Sequence, residues 1–254
     1  MDLQLENKTI LVTAASRGLG FGTAEALANE RAKVIICGRN EESLKTAIQK
    51  LGGQSRYIVA DVSTIEGINH LIEDILSKEG ILDGLFVNAG GPRPGKFVGL
   101  SEDDWEKSYQ LTLMSAVRLT REALPLLSKS ETPAILYSTS ISVKQPIGNL
   151  LLSNTMRPAV IGMMRTLSEE IGPDGIRVNA VCPGYINTER VKELMDASED
   201  SEQAIKQITS SIPLGRMGEP VEFGKVCAFL LSPVSSYVHG TLILVDGGMY
   251  KGMM

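Results

Sequence analysis

The chain has 254 residues, 43% of them hydrophobic and 22% charged, which suits one well-buried α/β domain and is short for two. Its 25 basic and 30 acidic side chains leave a net charge of −5, so the basic surface that nucleic acid requires is not expected. No apolar run reaches the roughly 18 residues of a membrane-spanning helix, and residues 1–6 lack the basic start and apolar core of a signal peptide.

Strand-like and helix-like segments alternate along the chain. Short apolar runs at 8–13, 33–37, 56–60, 84–88, 134–138, 177–182 and 242–245 read as strands. Helical patterns fall at 19–29, 41–51, 65–78, 105–127 and 160–171. Strands of four to six residues separated by helices predict a parallel sheet covered on both faces: a doubly wound, Rossmann-type α/β domain of three layers, spanning 1–254 without a linker. Pro158 predicts that the last of these helices starts near 158, because inside a helix it would remove a bond to Asn154 and clash with its carbonyl. Residues 153–157 are then expected in a turn. The charged, serine-rich stretch 189–211 reads as a mobile lid. Helices 105–127 and 158–171 carry apolar residues on more than one face (Leu111, Met114, Val117 and Leu124; Val160, Met163, Met164 and Leu167), so an outward face is expected to meet a second subunit. Cys37, Cys182 and Cys227 sit among apolar neighbours and read as buried free thiols, which points to the cytoplasm. With two histidines and no paired cysteines, no metal site is expected.

The first strand ends at Thr13 and runs through Ala14, Ala15, Ser16, Arg17, Gly18, Leu19 and Gly20 into a helix, a context that places backbone N–H groups around a pyrophosphate. After the second strand comes Cys37-Gly38-Arg39-Asn40, with no carboxylate to hold a ribose diol. Arg39 and Arg17 offer forked donors for a 2′-phosphate instead, so NADP(H) is expected over NAD(H). Ala14 is expected to fit the turn without a positive φ.

These motifs, with Asn88-Ala89-Gly90, Pro183-Gly184 and Asp246-Gly247-Gly248 in the same order and spacing, resemble the short-chain dehydrogenase/reductases, and among them the 3-oxoacyl-[acyl-carrier-protein] reductases, over about residues 5–248. The resemblance implies hydride transfer between a nicotinamide and a carbonyl or alcohol, in a homodimer or homotetramer. It gives Asp61 and Val62 to the adenine, Asn88, Ala89 and Gly90 to the ribose, and Pro183, Gly184, Ile186 and Thr188 to the nicotinamide amide. Ser140 matches the family's substrate-fixing serine. The family's Tyr and Lys positions hold Ser153 and Arg157, and its water-anchoring Asn falls on Thr112. Ser153 lacks a phenol's reach and acidity. Arg157 keeps the charge that would anchor the cofactor ribose but does not shuttle protons. Tyr185, beside the nicotinamide, is the foremost candidate for a displaced acid, with Tyr137, Tyr109, Ser142 and Lys144 as further candidates. The loop 90–96 borders the substrate mouth and carries the positive Arg93 and Lys96. Two other readings stay open: a dinucleotide-binding sensor or assembly protein without catalysis, and a non-redox lyase or isomerase on the same fold.

Overall fold

The computed structural model describes residues 1–196 and 201–253. Its strands are β1 (Thr9–Val12), β2 (Lys33–Gly38), β3 (Arg56–Val59), β4 (Gly84–Val87), β5 (Ala134–Ser138), β6 (Arg177–Pro183) and β7 (Leu242–Val245), all parallel, in the order β3-β2-β1-β4-β5-β6-β7. The helices are α1 (Gly18–Asn29), α2 (Glu41–Leu51), α3 (Ile65–Lys78), α4 (Glu102–Ser108), α5 (Ser115–Leu127), α6 (Leu151–Ile171), α7 (Glu189–Asp196), α8 (Ser201–Ser211) and α9 (Pro220–Leu231).

Alternation along each strand builds the two cores. Leu11, Ile35, Leu85, Ile135 and Val178 face one side and pack with α3, α5 and α6; Ile10, Val12, Val34, Ile36, Phe86 and Leu136 face the other and pack with α1, α2 and α9. Both sheet faces are buried, so strands of this kind are continuously apolar rather than alternating. α1 and α9 meet backbone to backbone: a Cβ on Gly224 would run into the carbonyl of Gly22. Winding reverses between β1 and β4, and the crevice beyond the carboxyl ends of those strands is where such sheets receive ligands. Among the described residues no helix is long and apolar enough to cross a membrane.

Several elements differ from the sequence expectation. α6 begins at Leu151, runs through Pro158 and holds residues 153–157 in regular helix, not in a turn. Proline in a helix interior costs about 3 kcal/mol, and tertiary contacts on both sides hold this one in place. Asn154 exchanges two hydrogen bonds with the backbone of Ile147, Arg157 grips the end of β5, and Val160 and Met164 lie in the core, while Pro158 faces solvent. The expected helix 105–127 begins at Glu102 and is interrupted by a π turn, Tyr109–Met114. That turn shifts the phase of the helix, so Thr112 is buried while Tyr109, expected to point the same way, is exposed. α9 shows no amphipathic period in the sequence because it is apolar nearly all round, although its Glu219–Glu222 capping box and Pro220 at the first position are proper start signals. The stretch 189–211 contains α7 and α8, and 197–200 lie outside the described residues.

Candidate functional site

The switch point between β1 and β4 is locked by two polar residues. Thr13 Oγ1 donates to the Asn88 carbonyl at 2.6 Å and accepts the Asn88 N–H at 2.8 Å, while Asn88 Nδ2 donates to the carbonyls of Thr13 and Ala14. Asn88 therefore shapes the glycine turn from beneath. Gly18 has φ +61°, and a Cβ on Gly20 would meet the Ala14 carbonyl and the backbone of Ala15. Ala14 corrects the sequence expectation: its φ is +48°, in the left-handed region. An L-residue there costs roughly 1–2 kcal/mol. The bonds that hold it are the Ala15 N–H to the Cys37 carbonyl and Asn88 Nδ2 to the Ala14 carbonyl.

Arg17 is the N-cap of α1, no side chain caps the helix, and its first turn holds no acid. The positive end of α1 is thus left to an anion. A Cβ on Gly90 would meet nothing within 4 Å, so the opposite wall is open, and the Thr188 methyl lies 3.6 Å from a Cβ built on Gly18. These features form a narrow backbone-lined cradle that fits a dinucleotide pyrophosphate. Ser16 and Leu19 lie on the same turn. At its outer end Arg39 is exposed after β2, and Asn40 caps α2 by accepting the Ser43 N–H at 2.8 Å. Asp61 follows β3 with its carboxylate bonded to the N–H and hydroxyl of Ser63, beside the buried Val62. Arg17 is ion-paired with Glu189, the first residue of α7. Nothing in the spacing of the sequence signals that pair, which joins residues 172 positions apart.

The reaction end is a linked set of hydroxyls. Ser140 follows β5 in extended backbone, and its Oγ accepts the Ser142 N–H at 3.0 Å. Ser142 Oγ lies 3.3 Å from Ser153 Oγ, which accepts Arg157 Nε–H at 3.1 Å. Arg157 Nη1 donates to the carbonyls of Ser138 (3.1 Å) and Thr139 (2.8 Å). The sequence expectation gave Arg157 to a cofactor ribose, whereas Nε and Nη1 are directed into the protein. The last carbonyls of β5 need donors, and a guanidinium fork serves two carbonyls and a hydroxyl at once. Loss of solvent around Arg157 lowers its pKa to about 10, so it stays charged at neutral pH. Asn88, Thr112, Ser115, Ser138, Thr139 and Arg157 line a cavity of about 10 Å³, room for roughly one water. Thr112 Oγ1 is buried beside it without a hydrogen-bond partner among the described residues.

The displaced-acid candidates separate clearly. Tyr137 is buried and also borders that cavity, but its phenol is committed to Thr120 Oγ1 at 2.6 Å and burial pushes its pKa up, so it is poorly suited to give up a proton. Tyr185, after Pro183 and Gly184, is half-buried, its pKa raised by loss of solvent. Lys144 stands 5.9 Å from the Tyr250 ring. Arg93 is paired at 2.6 Å with Asp104, which also closes the capping box of α4, so of the two charges expected on that loop Arg93 is neutralised. Arg190, unmarked in the sequence, donates to the Pro92 carbonyl at 3.1 Å and packs over Gly91. Ile186 is buried after β6. All three cysteines are buried and free, and burial raises the Cys37 thiol to about 12.

Residues 13–250 match the family described as enoyl-(acyl carrier protein) reductase. The chain is 32% identical to the 3-oxoacyl-[acyl-carrier-protein] reductase FabG of Chlamydia muridarum, over 98% of this chain and 100% of that one. It is 33% identical to the oxidoreductase UcpA of Escherichia coli K12, over 96% and 95%. The L-sorbose reductase of Gluconobacter frateurii, solved with NADPH and L-sorbose, superposes with a TM-score of 0.93 at 30% identity, covering all of both chains. A short chain oxidoreductase of Pseudomonas aeruginosa PAO1 described as containing an atypical catalytic center, solved with NADPH, gives 0.89 at 28% identity, over 97% and 99%. Matched across nearly its whole length in both sequence and fold, the chain belongs to the short-chain dehydrogenase/reductase family.

Proposed function

We propose that the protein is an NADP(H)-dependent oxidoreductase acting on a carbonyl/alcohol pair through an atypical proton-donating centre. The observation that carries this is the cradle: a helix N-terminus without cap or acid, glycines at 18 and 20, and the Thr13–Asn88 lock, set beside Ser140 at the end of β5. Thr13, Ser16, Gly18, Leu19 and Gly20 would line the pyrophosphate, Arg17 and Arg39 the 2′-phosphate, Asp61 and Val62 the adenine. Asn88, Ala89 and Gly90 would line the ribose, and Pro183, Gly184, Ile186 and Thr188 the nicotinamide amide. Bound there, the nicotinamide supplies or accepts the hydride. Ser140 donates a hydrogen bond to the substrate oxygen, one of its lone pairs being engaged by the Ser142 N–H. Arg157 keeps positive charge behind Ser153, and the proton that ends on the substrate oxygen comes from this hydroxyl cluster or from Tyr185, with solvent as the final source.

A non-catalytic dinucleotide binder is the second reading, favoured by the way Arg157 is committed to β5 and Ser153. NADPH absorbance followed against ketones, keto sugars and 3-oxoacyl thioesters, with NADPH affinity measured in parallel, separates the two. Turnover that Ser140→Ala lowers about 10²- to 10³-fold, the usual cost of losing one oxyanion donor, is the expected result. Tight binding with no consumption across the panel excludes the oxidoreductase reading, and substrate conversion without net cofactor change points to a lyase or isomerase.

Cofactor choice has its own test. Arg39→Ala is expected to weaken NADPH binding about 10- to 100-fold, the worth of charge-assisted bonds to a phosphate, and to leave NADH binding unchanged. Equal losses for both coenzymes in a calorimetric titration contradict the assignment. Helices α7 and α8 are assigned as a lid over a single dinucleotide-binding domain. The protein is assigned to the cytoplasm, in keeping with its free buried thiols. The outward faces of α4–α5 and α6, where Leu111, Met114, Val117, Leu124, Met163 and Leu167 stay partly exposed, are assigned to a second copy of the chain in a homodimer or homotetramer.

A further inference from the structure

Ser142 touches both halves of the hydroxyl cluster. It lies in the short turn Ile141–Val143 and is 5% exposed. Its N–H engages one lone pair of Ser140 Oγ, so the proton of that hydroxyl points elsewhere. Its own Oγ lies 3.3 Å from Ser153 Oγ, which also receives Arg157 Nε–H. Arginine has no acceptor, so the direction of that last bond is certain. Two arrangements are left for the serines. If Ser153 donates to Ser142, its proton is held inside the protein. If Ser142 donates to Ser153, Ser153 Oγ accepts two bonds and its own proton is free to leave the cluster. A hydroxyl has two lone pairs and one proton, so the second arrangement satisfies Ser153 fully once a substrate oxygen takes that proton's bond.

Resting on the oxidoreductase reading, we propose that Ser142 is a positioning residue for proton delivery: its N–H turns the Ser140 hydroxyl, and its Oγ–H turns the Ser153 hydroxyl, toward the substrate oxygen. When the carbonyl carbon receives hydride, the O–H bond of Ser153 breaks and a new O–H bond forms on the substrate oxygen. The Ser142 proton moves to Ser153, and one solvent proton enters at Ser142. Arg157 keeps its proton throughout and stabilises the negative charge that builds on Ser153. The chain of serines stands where the family pattern expects a phenol.

Ser142→Ala deletes the hydroxyl and keeps the N–H. In an NADPH-consuming assay it is expected to lower kcat about tenfold or more, part of the range seen for general acids. KM and NADPH affinity should stay within about twofold, the solvent deuterium isotope effect on kcat should change, and Ser142→Thr should restore both. A second readout needs no cofactor: the Arg157 Nε–H resonance of the free protein, identified by its absence in Arg157→Lys. With Ser153 Oγ no longer held from its far side, that proton is expected to exchange with water about tenfold faster in Ser142→Ala. Wild-type kcat and isotope effect in Ser142→Ala overturn the proposal. If the wild type binds NADPH and reduces nothing, the oxidoreductase reading itself has failed and the proton-delivery role falls with it; accelerated exchange then still supports the positioning of Ser153 by Ser142, and unchanged exchange overturns that too.

Discussion

Replacing Ser153 by Tyr and Arg157 by Lys together is expected to raise kcat by about 10²- to 10⁴-fold on any carbonyl substrate the protein reduces, the usual worth of a positioned general acid. A phenol carries the donor atom well beyond the reach of a serine hydroxyl, and an ammonium beside it lowers its pKa toward neutrality. Helical geometry favours the exchange, since 153 and 157 are one turn apart on α6 and already in contact. The single changes are expected to fail. Ser153→Tyr alone leaves Arg157 gripping β5 against the new ring, and Arg157→Lys alone leaves no phenol to activate. Wild-type kcat/KM should be flat between about pH 6 and 9, because serine hydroxyls do not titrate there and Arg157, even lowered to about 10, stays charged. The double variant should instead lose reductive activity as pH rises through the pKa of its new phenol. A double variant no faster than the parent, with NADPH binding intact, would show that hydride transfer or product release is limiting instead.

Arg157→Met is expected to cost about 2–4 kcal/mol of unfolding free energy, a central estimate for leaving two carbonyls and a hydroxyl short of donors while relieving the guanidinium's desolvation. For a chain of this size that is a fall of roughly 5–15 °C in midpoint, measurable by urea and thermal unfolding without cofactor. The pH dependence has a definite sign. Arg157 is a base whose folded pKa is depressed to about 10, below its ordinary value. Below about 10 it is charged in both states, so the difference between parent and variant should not change from pH 6 to 9. Above about 10 the folded protein sheds the proton first, and the desolvation penalty is relieved as pH rises. A difference that changes steeply between pH 6 and 8 would mean that another group titrates with this network. Loss of stability should extend to NADPH affinity, because the β5 terminus carries Ser140 as well as the carbonyls that Arg157 holds.

The sheet and the glycine turn that opens α1 were legible because both rest on local chemistry. Apolar runs such as Thr9–Val12 and Gly84–Val87 are strands wherever both faces of a sheet are covered, and a glycine turn between strand and helix forms an anion site from its own backbone. The absence of a carboxylate after Cys37-Gly38 was equally plain, as were Ser153 and Arg157 at positions where the family pattern has Tyr and Lys. Tertiary contact decided what those residues do. Pro158 argues locally for a helix start, yet distant groups, the Ile147 backbone and the β5 carbonyls, hold α6 regular through it. Ala14 takes a positive φ because Asn88, just after β4, clamps its carbonyl. The π turn that buries Thr112 and exposes Tyr109 has no signature in residue spacing. The direction of a guanidinium is set by which acceptors lie within reach, and for Arg157 those acceptors sit 18 and 19 residues away, at and just past the end of β5. Sequence alone determined which chemical groups are present and which backbone frame carries them. Only the folded chain decided their hydrogen-bond partners, because those bonds join segments that periodicity and spacing treat as independent.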